Sequence, residues 1–264
     1  MPEALAGYLE SGRDLEIASK VQASIVQTYR DDFPKYSKKV QSQYLRQVFN
    51  YIPATVGEKL VFSKINSNVR ASVLKEALQL VVLAQLVTFV QQTAANGVPL
   101  GAEVDQAKFK TYFLDCGLMC KMNGLSMPAL ESFLSLRFVN SGKLAEQFVA
   151  QQFLQCSPSY ERPALYYWMR EGKTNNAEVD FVVAVGDRVV PVEVKAGESG
   201  SLRSLLVFAA QKKTDVALRF DTNVPSMQEV SAKTTDKSGQ QVNYRLLSLP
   251  LYMAGEASRI LGRL

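Results

Sequence analysis

Two short segments constrain the fold of this chain more than any other feature. Ala177-Glu178-Val179-Asp180-Phe181-Val182-Val183 and Val190-Pro191-Val192-Glu193-Val194-Lys195 each read as a β-strand with a carboxylate inside it. Gly186-Asp187 between them is a hairpin turn signal. Strict alternation predicts that Asp180 shares a face with Glu178 and Val182, while Val179, Phe181 and Val183 face the other way. On the second strand Val192 and Val194 take the core face, and Glu193 and Lys195 the opposite one. A hairpin of this kind can bring Asp180 and Glu193 side by side.

Two carboxylates about 4 Å apart repel by roughly 4 kcal/mol at an effective dielectric near 20. Such a pair needs a proton, a bridging lysine or a divalent cation. Mg²⁺ accepts one or two carboxylates and keeps several waters. Asp180 and Glu193 are therefore candidate metal ligands. Lys195 is a candidate to orient a metal-activated water or to offset developing charge.

Histidine is absent from the chain. That excludes Ser-His and Cys-His catalysis and histidine-ligated zinc. Cys116 and Cys120 have no further Cys or His nearby to complete a zinc site, so these and Cys156 are expected as buried thiols in a reducing cytosol. The net charge of +5 is mild, with 15 Lys and Arg against 12 Asp and Glu in residues 1–137 and 15 against 13 in the remainder. It permits nucleic-acid binding without demanding it. The apolar run Leu80–Val90 is broken by Gln85 and Thr88, so no membrane span is expected. Met1-Pro2-Glu3 does not open a signal peptide.

Apolar spacing predicts helices from Asp14 to Tyr29, stopped by Asp31-Asp32-Phe33-Pro34, and around Val40–Phe49. A helix at Val56–Phe62, a polar turn and a longer helix at Val69–Leu83 capped by Asn68 follow. Strands at Leu86–Val90 and Phe109–Leu114 then make a hairpin. Helix, turn, helix and hairpin is the layout of a winged helix, with Lys64, Arg70 and Lys75 on or near its second helix. Residues 115–139 read as broken helix. A mixed α/β part begins near Asn140, with strands at Leu165–Arg170, Glu178–Val185, Val189–Lys195, Val216–Phe220 and Tyr244–Ser248. Ser199-Gly200-Ser201 opens a helix through Gln211, Val230–Gln241 reads as a loop, and Leu251–Leu261 as a last helix. Tyr166, Tyr167 and Trp168 are expected in the core rather than as a stacking platform. The fold class expected is α/β in the α+β sense. Residues 1–137 form a helical, winged-helix-like domain, and residues 138–264 a restriction-endonuclease-like mixed-sheet domain.

Asp180, then Glu193-x-Lys195 on the adjacent strand, with Glu146 on the helix upstream, resembles the PD-(D/E)xK nuclease superfamily. In that fold the upstream helix often supplies an extra acid, which implies a catalytic set of Glu146, Asp180, Glu193 and Lys195. Further segments carry a second likeness: Met1-Pro2-Glu3-Ala4, Tyr29-Arg30-Asp31-Asp32-Phe33, Val98-Pro99-Leu100-Gly101-Ala102, Lys110–Leu118, Leu165-Tyr166-Tyr167-Trp168 and Pro191–Gly197. Together they resemble the C-terminal half of prokaryotic AAA-family ATPases that carry a DUF4143 domain, over nearly the whole chain.

The resemblance implies a module that works beside an ATPase domain and recognises DNA or protein. The alternative it implies is a Mg²⁺-dependent DNA phosphodiesterase. Lys143, Arg170, Lys173 and Arg203 are candidate phosphate contacts. Gly172-Lys173-Thr174 is the only stretch like the end of a Walker A motif, and Tyr167 stands where a P-loop needs its first glycine. ATP would bind only through a preceding domain, and the chain reads as a fragment of such a protein, cytoplasmic and without a membrane segment.

Overall fold

The computed structural model describes residues 1–36, 39–125, 141–171, 176–197, 202–234 and 239–264. Two compact units emerge. One comprises residues 1–89 and 110–141; the other comprises 90–109 and 142–264. The boundary expected at 137/138 falls outside the described residues, and residues 90–109 belong with the C-terminal part.

The first unit is helical: α1 Pro2–Glu10, α2 Leu15–Tyr36, α3 Lys39–Tyr51, α4 Phe62–Ile65, α5 Ala71–Leu83 and α6 Cys116–Met122. The apolar stripes expected on α2 and α3 are the ones that bury Ala18, Val26, Leu45, Val48 and Phe49. Helix α2 does not stop at Pro34 but carries it in its last turn. Proline there forfeits one backbone hydrogen bond. The next residue back offsets it: Phe33 is buried and packs edge-on against Phe49 at 5.3 Å. Helix α5 starts at Ala71, without a side-chain cap. Asn68 does not cap it: the N-cap position falls two residues later, at Arg70, and Asn68 lies in a local turn in which its backbone N–H donates to Asn66 Oδ1 at 2.9 Å. Asp115 does cap α6, accepting from the Leu118 N–H at 2.9 Å. Burial pushes the Cys116 thiol up and the Cys120 thiol to about 11, so both stay protonated at neutral pH. Cys156 departs from the expected burial and is exposed.

The winged-helix layout is not what forms. Helix α4 has four residues, too few for the first helix of such a motif. The hairpin strands β1 Val87–Thr93 and β2 Val104–Phe113 are built into a large sheet, with Val90 paired in parallel to Leu165 of β3. The remaining strands are β3 Leu165–Arg170, β4 Ala177–Val185, β5 Arg188–Val194, β6 Val216–Asp221, β7 Ser226–Lys233 and β8 Gln241–Pro250. The eight-stranded sheet runs β2-β1-β3-β4-β5-β6-β8-β7 and mixes parallel with antiparallel pairs. The second half of β7 lies in the stretch from Val230 expected as a loop. Its polar residues belong to an edge strand paired only with β8, while Val230 and Ala232 turn inward to the core.

Helices α7 Ser141–Gln155 and α8 Arg203–Lys212 complete this unit, and α9 Ala257–Leu261 follows a 3₁₀ turn. Helix α8 buries Leu205 and Phe208 against Val182, Ala217 and Leu246 on one sheet face. Phe153 of α7 packs on Phe181 and Phe220 of the other face, at 5.7 and 6.0 Å. Tyr167 and Trp168 are buried as expected, and Trp168 meets Phe208 edge-on at 5.1 Å. No helix among the described residues is long and apolar enough to cross a membrane.

Candidate functional site

The β4–β5 hairpin forms as read. Val185 pairs with Arg188 across Gly186-Asp187, and Gly186 takes the positive φ of 64° that such a turn requires. Strands β3 and β5 both run antiparallel to β4, and β5 runs parallel to β6. Their C-terminal ends therefore share one edge of the sheet, which carries Arg170, Lys195 and Asp221. In open α/β sheets this edge is where ligands bind.

Strict alternation fails on β4. The β3–β4 register slips between Tyr166↔Val182 and Trp168↔Val179, leaving Asp180 and Phe181 opposite the single residue Tyr167. This is a β-bulge. Val179 and Val182, three residues apart, consequently both join the core under α8, while Phe181 packs beneath α7. The expectation that Asp180 and Val182 share a face is thus corrected. Asp180 instead turns its carboxylate between the strands: its Oδ2 accepts the Val194 N–H at 2.7 Å. The regular β4–β5 ladder ends at Phe181↔Val192, and the carboxylate answers the next inward N–H.

Glu193 is buried, and its Oε1 lies 2.5 Å from Lys195 Nζ. Burial alone would lower the Lys195 ammonium. The hydrogen bond it donates to Glu193 and the charges of Glu193, Asp180 and Glu146 outweigh it and hold the group above its ordinary value. The carboxylates of Glu193, Asp180 and Glu146 thus all act electrostatically on the Lys195 ammonium. Lys195 is a cation at neutral pH, which suits charge stabilisation and not proton abstraction.

A pH dependence follows. The folded Lys195 binds its proton more tightly than the unfolded one, so the cluster stabilises fully below the ordinary lysine value of 10.5. That stabilisation is lost as pH rises through the raised folded value. Thermal unfolding followed from pH 9 to about 11.5 is expected to show a steeper decline in the wild type than in Lys195→Met.

The candidate phosphate contacts are spread along the same region. Arg170 ends β3, opposite Ala177, and Arg203 is the exposed first residue of α8. Lys143 lies in the first turn of α7, three residues before Glu146. Lys173 and the Gly172-Lys173-Thr174 stretch fall outside the described residues. Among the described residues no group of three or more His, Cys, Asp or Glu side chains is placed to hold a metal. The carboxylate oxygens of Asp180 and Glu193 are hard donors that suit Mg²⁺. Such an ion would rest on these two acids and water.

Two further charged residues stand on β6 and escaped the sequence reading. Arg219 Nε is 2.8 Å from Asp221 Oδ2, and both side chains are largely buried. The signal was present in the strand itself: Val-Ala-Leu-Arg-Phe-Asp places two charges at i and i+2 of an otherwise apolar run, as Glu193-Val194-Lys195 does.

No curated protein and no solved structure matches the chain. The resemblance expected to run along nearly the whole chain is divided between two families. Residues 1–129 match the model of one domain of unknown function, DUF8612, and residues 141–246 match that of another, DUF4143.

Proposed function

We propose that the C-terminal unit is a recognition module with a nuclease-like fold, serving an AAA-family ATPase in the cytoplasm and contacting DNA along the C-terminal edge of its sheet. The observation that carries this reading is how the acids are engaged. Glu193 holds the Lys195 ammonium, and Asp180 holds a backbone N–H that the strand ladder leaves over. Acids engaged in this way form a structural ion cluster that shapes the edge. Arg170, Arg203 and Lys143 around that edge supply the positive charge that a phosphate backbone attracts, and nucleic acid fits this better than a protein partner. ATP enters only through a partner or preceding ATPase domain.

A second reading is favoured by one specific observation. Glu193 contacts Lys195, and the charges of Asp180 on β4 and Glu146 on α7 also act on its ammonium. Such an arrangement would suit a metal-dependent phosphodiesterase: Asp180 and Glu193 would hold a Mg²⁺, which would supply Lewis acidity toward a water and the phosphate. Lys195 would then offset charge on the reacting phosphate, and Glu146 would bias its neighbours.

The two readings separate experimentally. Fluorescence anisotropy with labelled duplex DNA is expected to show salt-dependent binding, weakened severalfold by Arg170→Glu combined with Arg203→Glu. Salt-independent or absent binding removes the DNA reading. Calorimetric titration with Mn²⁺ or Mg²⁺ is expected to give no heat that depends on Glu193. Heat that disappears in Glu193→Ala, together with plasmid cleavage that disappears in Asp180→Ala, moves the assignment to the phosphodiesterase.

A further inference from the structure

We propose that the site continues from β5 onto β6, where Arg219 and Asp221 complete a two-by-two block of alternating charge with Glu193 and Lys195 and act as positioning residues for that pair. The sheet register dictates the block. Glu193 and Arg219 are direct cross-strand partners, and Val194 pairs with Phe220 in the next step. The Lys195 N–H donates to the Phe220 carbonyl at 2.8 Å, so the parallel ladder extends to Lys195 and sets it beside Asp221. Within each strand the i and i+2 side chains share a face, as the Glu193–Lys195 pair at 2.5 Å and the Arg219–Asp221 pair at 2.8 Å attest. Every charge in the block therefore has an opposite charge along its own strand, and the register sets another opposite charge at the facing position of the neighbouring strand.

Burial makes this arrangement consequential. The two acids lie deepest, Glu193 at 7% and Asp221 at 1% side-chain exposure, beneath Lys195 at 27% and Arg219 at 14%. A buried carboxylate with no cation is strongly disfavoured, so each acid must keep at least one of the two. The Arg219–Asp221 contact is an ion pair without an aligned hydrogen bond. Arg219 is thus held by charge more than by direction, with Glu193 at the facing position of β5. The strength with which Glu193 grips Lys195 is then set from β6. Loss of Asp221 releases Arg219 toward Glu193 and loosens Lys195. Loss of Arg219 leaves both acids to Lys195 and tightens it.

This inference rests on reading Glu193 and Lys195 as the working pair of the proposed site. Its test reads the pair itself and no activity, so an intact chain that neither binds nor cleaves DNA still answers it. The measurement is proton exchange of the Lys195 ammonium, observed by ¹⁵N-lysine NMR and assigned by the signal missing from Lys195→Arg. Asp221→Asn is expected to speed the exchange about fivefold or more, and Arg219→Gln to slow it. Arg219→Lys, which keeps the charge, is expected to retain the wild-type rate, and Arg219→Gln/Asp221→Asn to lie within about twofold of it. Exchange that is indifferent to both single substitutions overturns the proposal.

If a single variant does not fold, urea unfolding decides between two backgrounds. Glu193→Gln is expected to shift the folding equilibrium at least about fivefold more in the wild type than in Arg219→Gln/Asp221→Asn, where Glu193 no longer has a cation facing it across the strands. Equal shifts overturn the proposal.

Discussion

Phe181→Ala is expected to lower the stability of the C-terminal unit by about 3–5 kcal/mol, the usual cost of emptying a core aromatic position. Phe181 is 1% exposed and stands edge-on to Phe153 at 5.7 Å and 82°. It is the second residue of the bulge and sits directly after Asp180. The side chain therefore does two things at once: it fills the space between β4 and α7, and it fixes the backbone from which the Asp180 carboxylate reaches Val194. Urea unfolding reads the first role. Hydrogen exchange of the Val194 amide reads the second and is expected to rise by more than that of Val192, which the regular ladder covers. Phe220→Leu on the same face, which keeps most of the volume, is expected to cost under about 1.5 kcal/mol and to leave the Val194 amide protected. A Phe181→Ala chain with wild-type stability would mean that the layer between the sheet and α7 is not the core that its burial indicates.

The hairpin and its charged residues were legible because their signals are local. The apolar runs, the Gly-Asp turn and Glu193-x-Lys195 all lie within twenty consecutive residues, and β4 pairs with β5 across that turn as they predict. The bulge was not legible. It arises from the register of β4 against β3, and nothing within β4 states that two of its residues will oppose Tyr167 alone. Strand β7 was missed for a related reason. An edge strand buries only part of one face, so its sequence is dominated by solvated residues and resembles a loop until β8 is placed beside it. The wing was misassigned because a hairpin looks the same whether it stands alone or joins a sheet; pairing of Val90 with Leu165, 75 residues away, decides it. Arg219 and Asp221 were visible as strand residues, but their meaning depends on lying next to Glu193, which only the β5–β6 pairing supplies.

Lys195→Met is expected to cost about 2 kcal/mol, and adding Glu193→Gln to the same chain is expected to restore most of that loss. Removing one partner of a buried ion pair leaves the other charge in a medium that solvates it poorly, at about 3–5 kcal/mol for a fully buried pair. Glu193 is nearly buried at 7%, but Lys195 is about one quarter exposed at 27%, so the lower figure applies. Methionine keeps the length and volume of the lysine stem, which separates the loss of charge from the loss of packing. The double variant then has no carboxylate to answer. A pair of neutral side chains of similar shape is commonly as stable as the ion pair it replaces. Recovery in the double variant, measured as a double-mutant cycle by urea unfolding, identifies the Glu193–Lys195 contact as the source of the cost. Losses that simply add would place the Lys195 contribution elsewhere, with Asp180 and Glu146, which act on its ammonium, and Asp221 at the facing position of β6 as the remaining acids. The same pair of variants bears on function, because a cluster that only shapes the sheet edge predicts unchanged DNA affinity in the recovered double variant. A phosphodiesterase predicts a folded chain in which the phosphate has lost its lysine and the metal one of its two acids, with cleavage gone while stability is restored.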